Sequence, residues 1–162
     1  TTYLVEVRGL PDSAASLIFG LGPFIGIAGS LNGGYMGERV GPKGALSLAI
    51  LCSAVSISFL WLLSPFYLLL IAYLAYTFFS SSVWSPINSM VANITPDFGR
   101  GYSYSVYFLT EGVVVSITPT VVAAVIGLTE VWFIFPFSMA FMVMGLVVLQ
   151  IVSCPRQSSR SL

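Results

Sequence analysis

Five long apolar runs, at residues 14–33, 45–63, 66–92, 103–127 and 131–153, are separated by short polar stretches, and this spacing constrains the chain more than any other feature. Each run is about long enough to cross a hydrocarbon core, which needs ~20 helical residues. A soluble fold of 162 residues buries only part of its surface and could not hide five such runs. Charged residues make up 7% of the chain, against roughly 25% in ordinary globular domains. Barrel strands fit poorly, because a spanning strand needs only ~10 residues that alternate in polarity, and these runs are longer and apolar all round. The expected fold class is therefore all-α membrane protein with five transmembrane helices, residues 1–162 forming a single transmembrane domain with a cytoplasmic tail at 154–162.

The chemistry-bearing residues are few. Six acids and six bases give zero net charge, so no basic field exists for nucleic acid. Eleven of the twelve fall outside the apolar runs, and only Glu111 sits inside one. Histidine is absent, which removes imidazole metal sites and Ser-His relays. Cys52 and Cys154 lack metal or disulfide spacing and read as apolar fillers. No cofactor is expected, and an enzyme is disfavoured for want of paired intramembrane acids or a nucleophile motif.

Basic residues set the expected orientation. Arg39 and Lys43 follow the first run, Arg100 the third, and Arg156 and Arg160 the fifth, whereas only Arg8 lies on the opposite side. The positive-inside rule then puts the stretches 34–44 and 95–102 and the tail from 154 in the cytoplasm. The ends at 1–13, Ser64-Pro65 and Leu128–Glu130 are external. Asn93-Ile94-Thr95 falls on the inner side before a proline and is discounted as a glycosylation sequon. The chain opens at Thr1 without a methionine or a signal-peptide pattern, so it is expected to be a piece of something longer.

The helices differ in what they are built for. Gly22, Gly26, Gly29 and Gly33, continued by Gly37, lie on one face of the first helix, as spacings of three and four require. In lipid such small-residue faces let backbones approach. The helix at 103–127 repeats the device with Gly112, Ser116, Thr120 and Ala124, which points to a tightly packed bundle. Tyr73, Thr77, Ser80, Ser81, Trp84 and Asn88 give the helix at 66–92 one polar, aromatic face, and Pro86 frees a carbonyl one turn earlier. This face is expected to line a cavity; the alternative is that its hydroxyls and amides bond to neighbouring helices. The runs at 45–63 and 131–153 show no polar face and are expected to be outer, lipid-facing helices. Glu111 shares a face with Tyr104, Tyr107 and Thr118. Burying it charged costs several kcal/mol unless it is solvated, paired or protonated, which suits a proton site in a transport cycle; permanent bonding to a neighbouring hydroxyl or helix end is the competing reading.

Gly34, Glu38, Arg39, Gly41 and Lys43 fill all five specified positions of the pattern Gly-x-x-x-Asp/Glu-Arg/Lys-x-Gly-x-Arg/Lys. In this the chain resembles the major facilitator superfamily, and Thr95-Pro96-Asp97-Phe98-Gly99-Arg100-Gly101-Tyr102-Ser103 is similar to the Arg-Gly-small stretch that this superfamily places before the fifth span of each half. The resemblance implies two six-helix halves with a small solute held between them and exposed alternately to each side, the motif acting as a latch between the halves. This chain then represents five helices of one six-helix half. We assign the carboxyl half, from the short polar tail, from the lack of an intramembrane arginine in the run at 66–92, and from Thr118-Pro119 standing where a Gly-Pro would. The implied function is secondary active transport of a small solute, proton- or ion-coupled, with Tyr73, Thr77, Trp84, Asn88 and Glu111 as candidate solute or proton contacts. The implied partners are the lipid bilayer, a small-molecule solute and the remaining transporter half, and the implied location is the plasma membrane. A non-transporting scaffold or receptor-like half-bundle is the alternative.

Overall fold

A computed structural model describes residues 3–7, 9, 11–63, 65–95 and 99–151, apart from the side chains of Tyr3 and Val7. Arg8, Ser64, the segment 96–98, Cys154, Arg156, Arg160 and the expected tail at 154–162 lie outside the described residues. After a short π-helical turn at Tyr3–Val7 come α1 (Asp12–Val40), α2 (Pro42–Leu62), α3 (Phe66–Ser81), α4 (Trp84–Ile94), α5 (Arg100–Leu128), a 3-10 turn at Val131–Phe133 and α6 (Ile134–Ile151). Taking α3 with α4 and the 3-10 turn with α6, five helical segments among the described residues are long and apolar enough to cross a membrane. The protein is an all-α, multi-pass membrane protein.

The first difference from the sequence expectation is at the end of α1. This helix has 29 residues, a length of ~43 Å at ~1.5 Å per residue, so it outruns a ~30 Å hydrocarbon core by more than two turns. Gly34, Gly37, Glu38 and Arg39 lie in the last two turns of this helix and not in a loop. Gly41 alone separates α1 from α2, at φ 82° and ψ 155°, a region essentially restricted to glycine. Pro42 follows at the first position of α2, where its missing N–H costs no hydrogen bond. The Gly41→Ala variant is expected to lose ~1–3 kcal/mol, read as a lower thermal midpoint in detergent; an unchanged midpoint would show that the joint does not depend on this conformation.

The second difference is a break in the run at 66–92. Pro86 has no N–H to give the Ser82 carbonyl, and Ser82 and Val83 depart from the helix. That carbonyl is aimed at Gly33 of α1, and the Phe78 carbonyl is aimed at Gly29. A Cβ at either glycine would collide with these backbone atoms. The Ser82 hydroxyl, 1% exposed, lies 2.8 Å from the Gly29 carbonyl and 2.9 Å from that of Phe78, with its one proton to donate. The glycine face of α1 is thus filled by backbone and hydroxyls of the α3–α4 break. Close approach of this kind supplies dispersion and weak Cα–H···O contacts, which stand in for the missing hydrophobic drive in lipid.

The helix α2, expected as an outer helix, is two-sided. Leu48, Leu51, Val55, Phe59 and Leu62 form an exposed apolar stripe, while Ala45, Leu46, Ala49, Ser53, Ser56, Ile57 and Leu60 are buried. Its two buried serines show no free polar face because each hydroxyl donates back to its own helix: Ser53 to the Ala49 carbonyl and Ser56 to that of Cys52, both at 2.8 Å. Ile57 and Leu60 join Leu69 and Ala72 of α3 and Phe135 of α6 in the main apolar cluster. At that same end Trp61 stacks on Trp132 with ring centroids 6.3 Å apart, and Tyr67 stands exposed beside the α2–α3 turn, an arrangement like an interfacial aromatic belt.

The helix α5 departs furthest from the tight bundle expected of it. It has no buried residue, and a Cβ on Gly112 would meet nothing within 4 Å. Its Ser116 and Thr118 hydroxyls donate to the carbonyls one turn back, at 2.7 Å each, so both are satisfied within the helix.

Candidate functional site

Two regions hold the sequence-derived candidates. The first is a cavity of about 620 Å³ where the end of α1 meets the start of α2 and one side of α4. Gly34, Glu38, Gly41 and Lys43 line one side, and Ser85 and Ser89, one helical turn apart, line the other. Arg39 does not reach into it; its guanidinium carbon lies 4.5 Å from the ring centroid of Tyr35, a cation–π contact within its own helix. Lys43 turns toward α6, its ammonium donating to the Gln150 carbonyl at 3.1 Å. The Gln150 amide in turn reaches the Ser47 hydroxyl at 3.4 Å. A cation at the carboxyl end of a helix meets the negative end of its dipole, so Lys43 ties the start of α2 to the end of α6. No signal in the sequence pointed to Gln150, because nothing in its local pattern records a contact more than 100 residues away.

The second region is the polar face of α3 and α4, which divides into two groups. Pro23 of α1 cannot donate to the Phe19 carbonyl, and the Tyr73 hydroxyl makes a long contact to that oxygen, 3.4 Å. The Thr77 hydroxyl donates to the Tyr73 carbonyl at 2.9 Å, and its methyl group would lie 3.5 Å from a Cβ on Gly22. Ser81 packs in the same way opposite Gly26. Tyr73, Thr77 and Ser81 therefore meet the glycine face of α1.

Trp84, Asn88 and Glu111 are placed differently. Trp84 is 47% exposed. The Asn88 carbonyl accepts from the Tyr104 hydroxyl at 2.9 Å, which ties α5 to α4. The side-chain oxygens Asn88 Oδ1 and Glu111 Oε2 are buried yet have no hydrogen-bond partner among the described residues. An unmet buried acceptor costs ~1–3 kcal/mol, more for a charged group. Both atoms accept and neither can donate unless Glu111 is protonated, so what would satisfy them is a proton, a cation, water or a donor group on a solute. Tyr104 was named in the sequence only as a neighbour on the Glu111 face; its tether to α4 depends on how two helices cross.

Among the described residues no cluster of three or more histidine, cysteine, aspartate or glutamate side chains is placed to hold a metal ion. A family model described as Major Facilitator Superfamily matches residues 1–158 of the chain. No curated protein and no solved structure matches it.

Proposed function

This chain belongs to the major facilitator superfamily, and we propose that within this family of membrane transporters it serves as the carboxyl-terminal half of a proton- or ion-coupled secondary transporter working by alternating access. Membrane transport of a small solute across a lipid bilayer is the general activity of the family. The finer reading places the α4–α5 seam toward the solute path, with Asn88 and Trp84 contacting solute and Glu111 exchanging the coupling proton or ion. The observation that carries it is the pair of unsatisfied oxygens on Asn88 and Glu111. A carboxyl with a purely structural role inside this half would have found a donor on the neighbouring helices described, since buried polar groups are nearly always bonded.

Under this reading the cavity at Gly34, Glu38, Gly41 and Lys43 is where the latch engages the remaining transporter half. It faces the cytoplasm in the plasma membrane, with the carboxyl terminus on the same side. Gly41 gives the latch a fixed joint, and Lys43 keeps it attached to α6, so that α1, α2 and α6 move together as one unit when the halves rock.

The test is a flux measurement on the complete protein reconstituted into proteoliposomes with an imposed pH gradient, scanning sugars, amino acids, organic acids and cationic amphiphiles. Saturable uptake of one class that collapses with the gradient is expected. Absence of saturable movement for every class, in vesicles holding folded protein, would favour a scaffold and overturn the reading.

A further inference from the structure

We propose that the groove between α2 and α3 holds one acyl chain of a bilayer phospholipid as a bound ligand and not as passing solvent. The groove encloses about 470 Å³. Its walls are Leu51, Val55 and Phe59 on α2 and Leu68, Ile71 and Phe79 on α3. The walls stand exposed on the outside of the bundle, Val55 at 53% and Ile71 at 62%. Its floor is made of small groups, with Ser56 and Ala72 buried and Cys52 and Ala75 half-buried.

Length, polarity and width select the occupant. Leu51 to Leu63 is twelve residue steps, or ~18 Å of helix at ~1.5 Å per step, close to the ~15 Å depth of one leaflet of a ~30 Å core. The one hydroxyl on the floor, Ser56, already donates to the Cys52 carbonyl at 2.8 Å. Apart from the free thiol of Cys52, a weak donor, the lining offers no unbonded polar side chain to a solute and no charge to a protein partner. A transmembrane helix is ~10 Å across and needs small residues along the line of contact. Here the small residues lie at the bottom of a slot whose bulky walls hold a helix backbone away, whereas a single hydrocarbon chain can enter. Leu63 and Leu68 carry the lining to the α2–α3 turn, where the exposed Tyr67, next to Leu68 in the chain, is an amphipathic side chain suited to the headgroup level. This proposal stands apart from the solute path and does not depend on which solute is carried.

The experiment is native mass spectrometry of the complete protein, extracted in mild detergent from vesicles of palmitoyl-oleoyl phosphatidylcholine and washed with detergent. One retained phosphatidylcholine is expected. Filling the slot from either wall, with Ala75→Leu or Cys52→Phe, is expected to reduce that adduct by roughly tenfold, equivalent to ~1.4 kcal/mol. The control Val147→Trp, on the exposed face of α6, should leave it unchanged. Gel filtration confirms that each variant is folded, and the two filling variants act from opposite walls, so failure of one leaves the other. Equal retention by wild type and a folded filling variant would overturn the proposal. So would wild-type protein without a phospholipid adduct, or bridging of Cys52 between two copies by a dimaleimide in a Cys154→Ala background, which would make the slot a protein interface.

Discussion

The double variant Gly29→Val, Gly33→Val is expected to yield no folded protein, and each single variant to lose a large part of its stability. At both positions an added Cβ would run into backbone, the carbonyls of Phe78 and Ser82, and backbone cannot rotate aside as a side-chain tip can. Overpacking a filled site costs ~1–3 kcal/mol, and here the displaced carbonyl of Ser82 is one that Pro86 leaves without a helical donor. Moving α3–α4 away also separates the Ser82 hydroxyl from the Gly29 carbonyl. Two such losses, ~2–6 kcal/mol together, reach the lower end of the ~5–15 kcal/mol of a native fold, before the lost Ser82 hydrogen bond is added. Gly22→Ala is expected to be milder, because what it meets is the Tyr73 hydroxyl at 2.7 Å, the far end of a movable side chain. Gly145→Ala, with nothing within 4 Å, should be neutral. Thermal midpoints and monodisperse yield in detergent check the order. A double variant as stable as wild type would mean that the α1–α3 contact is looser than described here.

The second large effect is expected at Glu111. Glu111→Gln keeps the size and an acceptor oxygen of the side chain but removes its ability to take up and release a proton. In proteoliposomes of the complete protein, gradient-driven uptake is expected to fall by at least roughly tenfold, the factor that ~1.4 kcal/mol produces. Solute exchange without a gradient should persist, because that step needs the site but not net proton movement. Loss of both would indicate a collapsed site and not an uncoupled one. Unchanged gradient-driven uptake would remove Glu111 from the coupling mechanism.

How much of this was legible in the sequence follows from the range of the forces involved. The spans were legible because hydrocarbon imposes a length and a composition on each segment separately. The glycine face of α1 was legible because helical periodicity is local. What met that face was not, since Tyr73, Thr77 and Ser82 could equally have turned toward a cavity until the crossing of α1 over α3 was known. The polar face was thus divided by a neighbour 50 residues away. The motif at Gly34 to Lys43 was recognised by its residues, yet its helical part was misjudged as loop, because glycines normally weaken a helix and nothing in the local pattern discounts that penalty. The buried face of α2 shows no free polar side chain, because its two buried serines bond to their own helix. The unsatisfied oxygens of Asn88 and Glu111 are a property of all the surrounding helices together, and no pattern along the chain encodes them.

The account depends on helices that cross a membrane and carry the latch motif to one side and the α5–α6 turn to the other. In a variant with Cys52 and Cys154 replaced by alanine, Lys43→Cys and Glu130→Cys are to be labelled separately with a membrane-impermeant maleimide in intact cells and after permeabilisation. Cysteine at 130 is expected to react in intact cells, and cysteine at 43 only once the membrane is opened. Reaction of both from the same side would contradict the account.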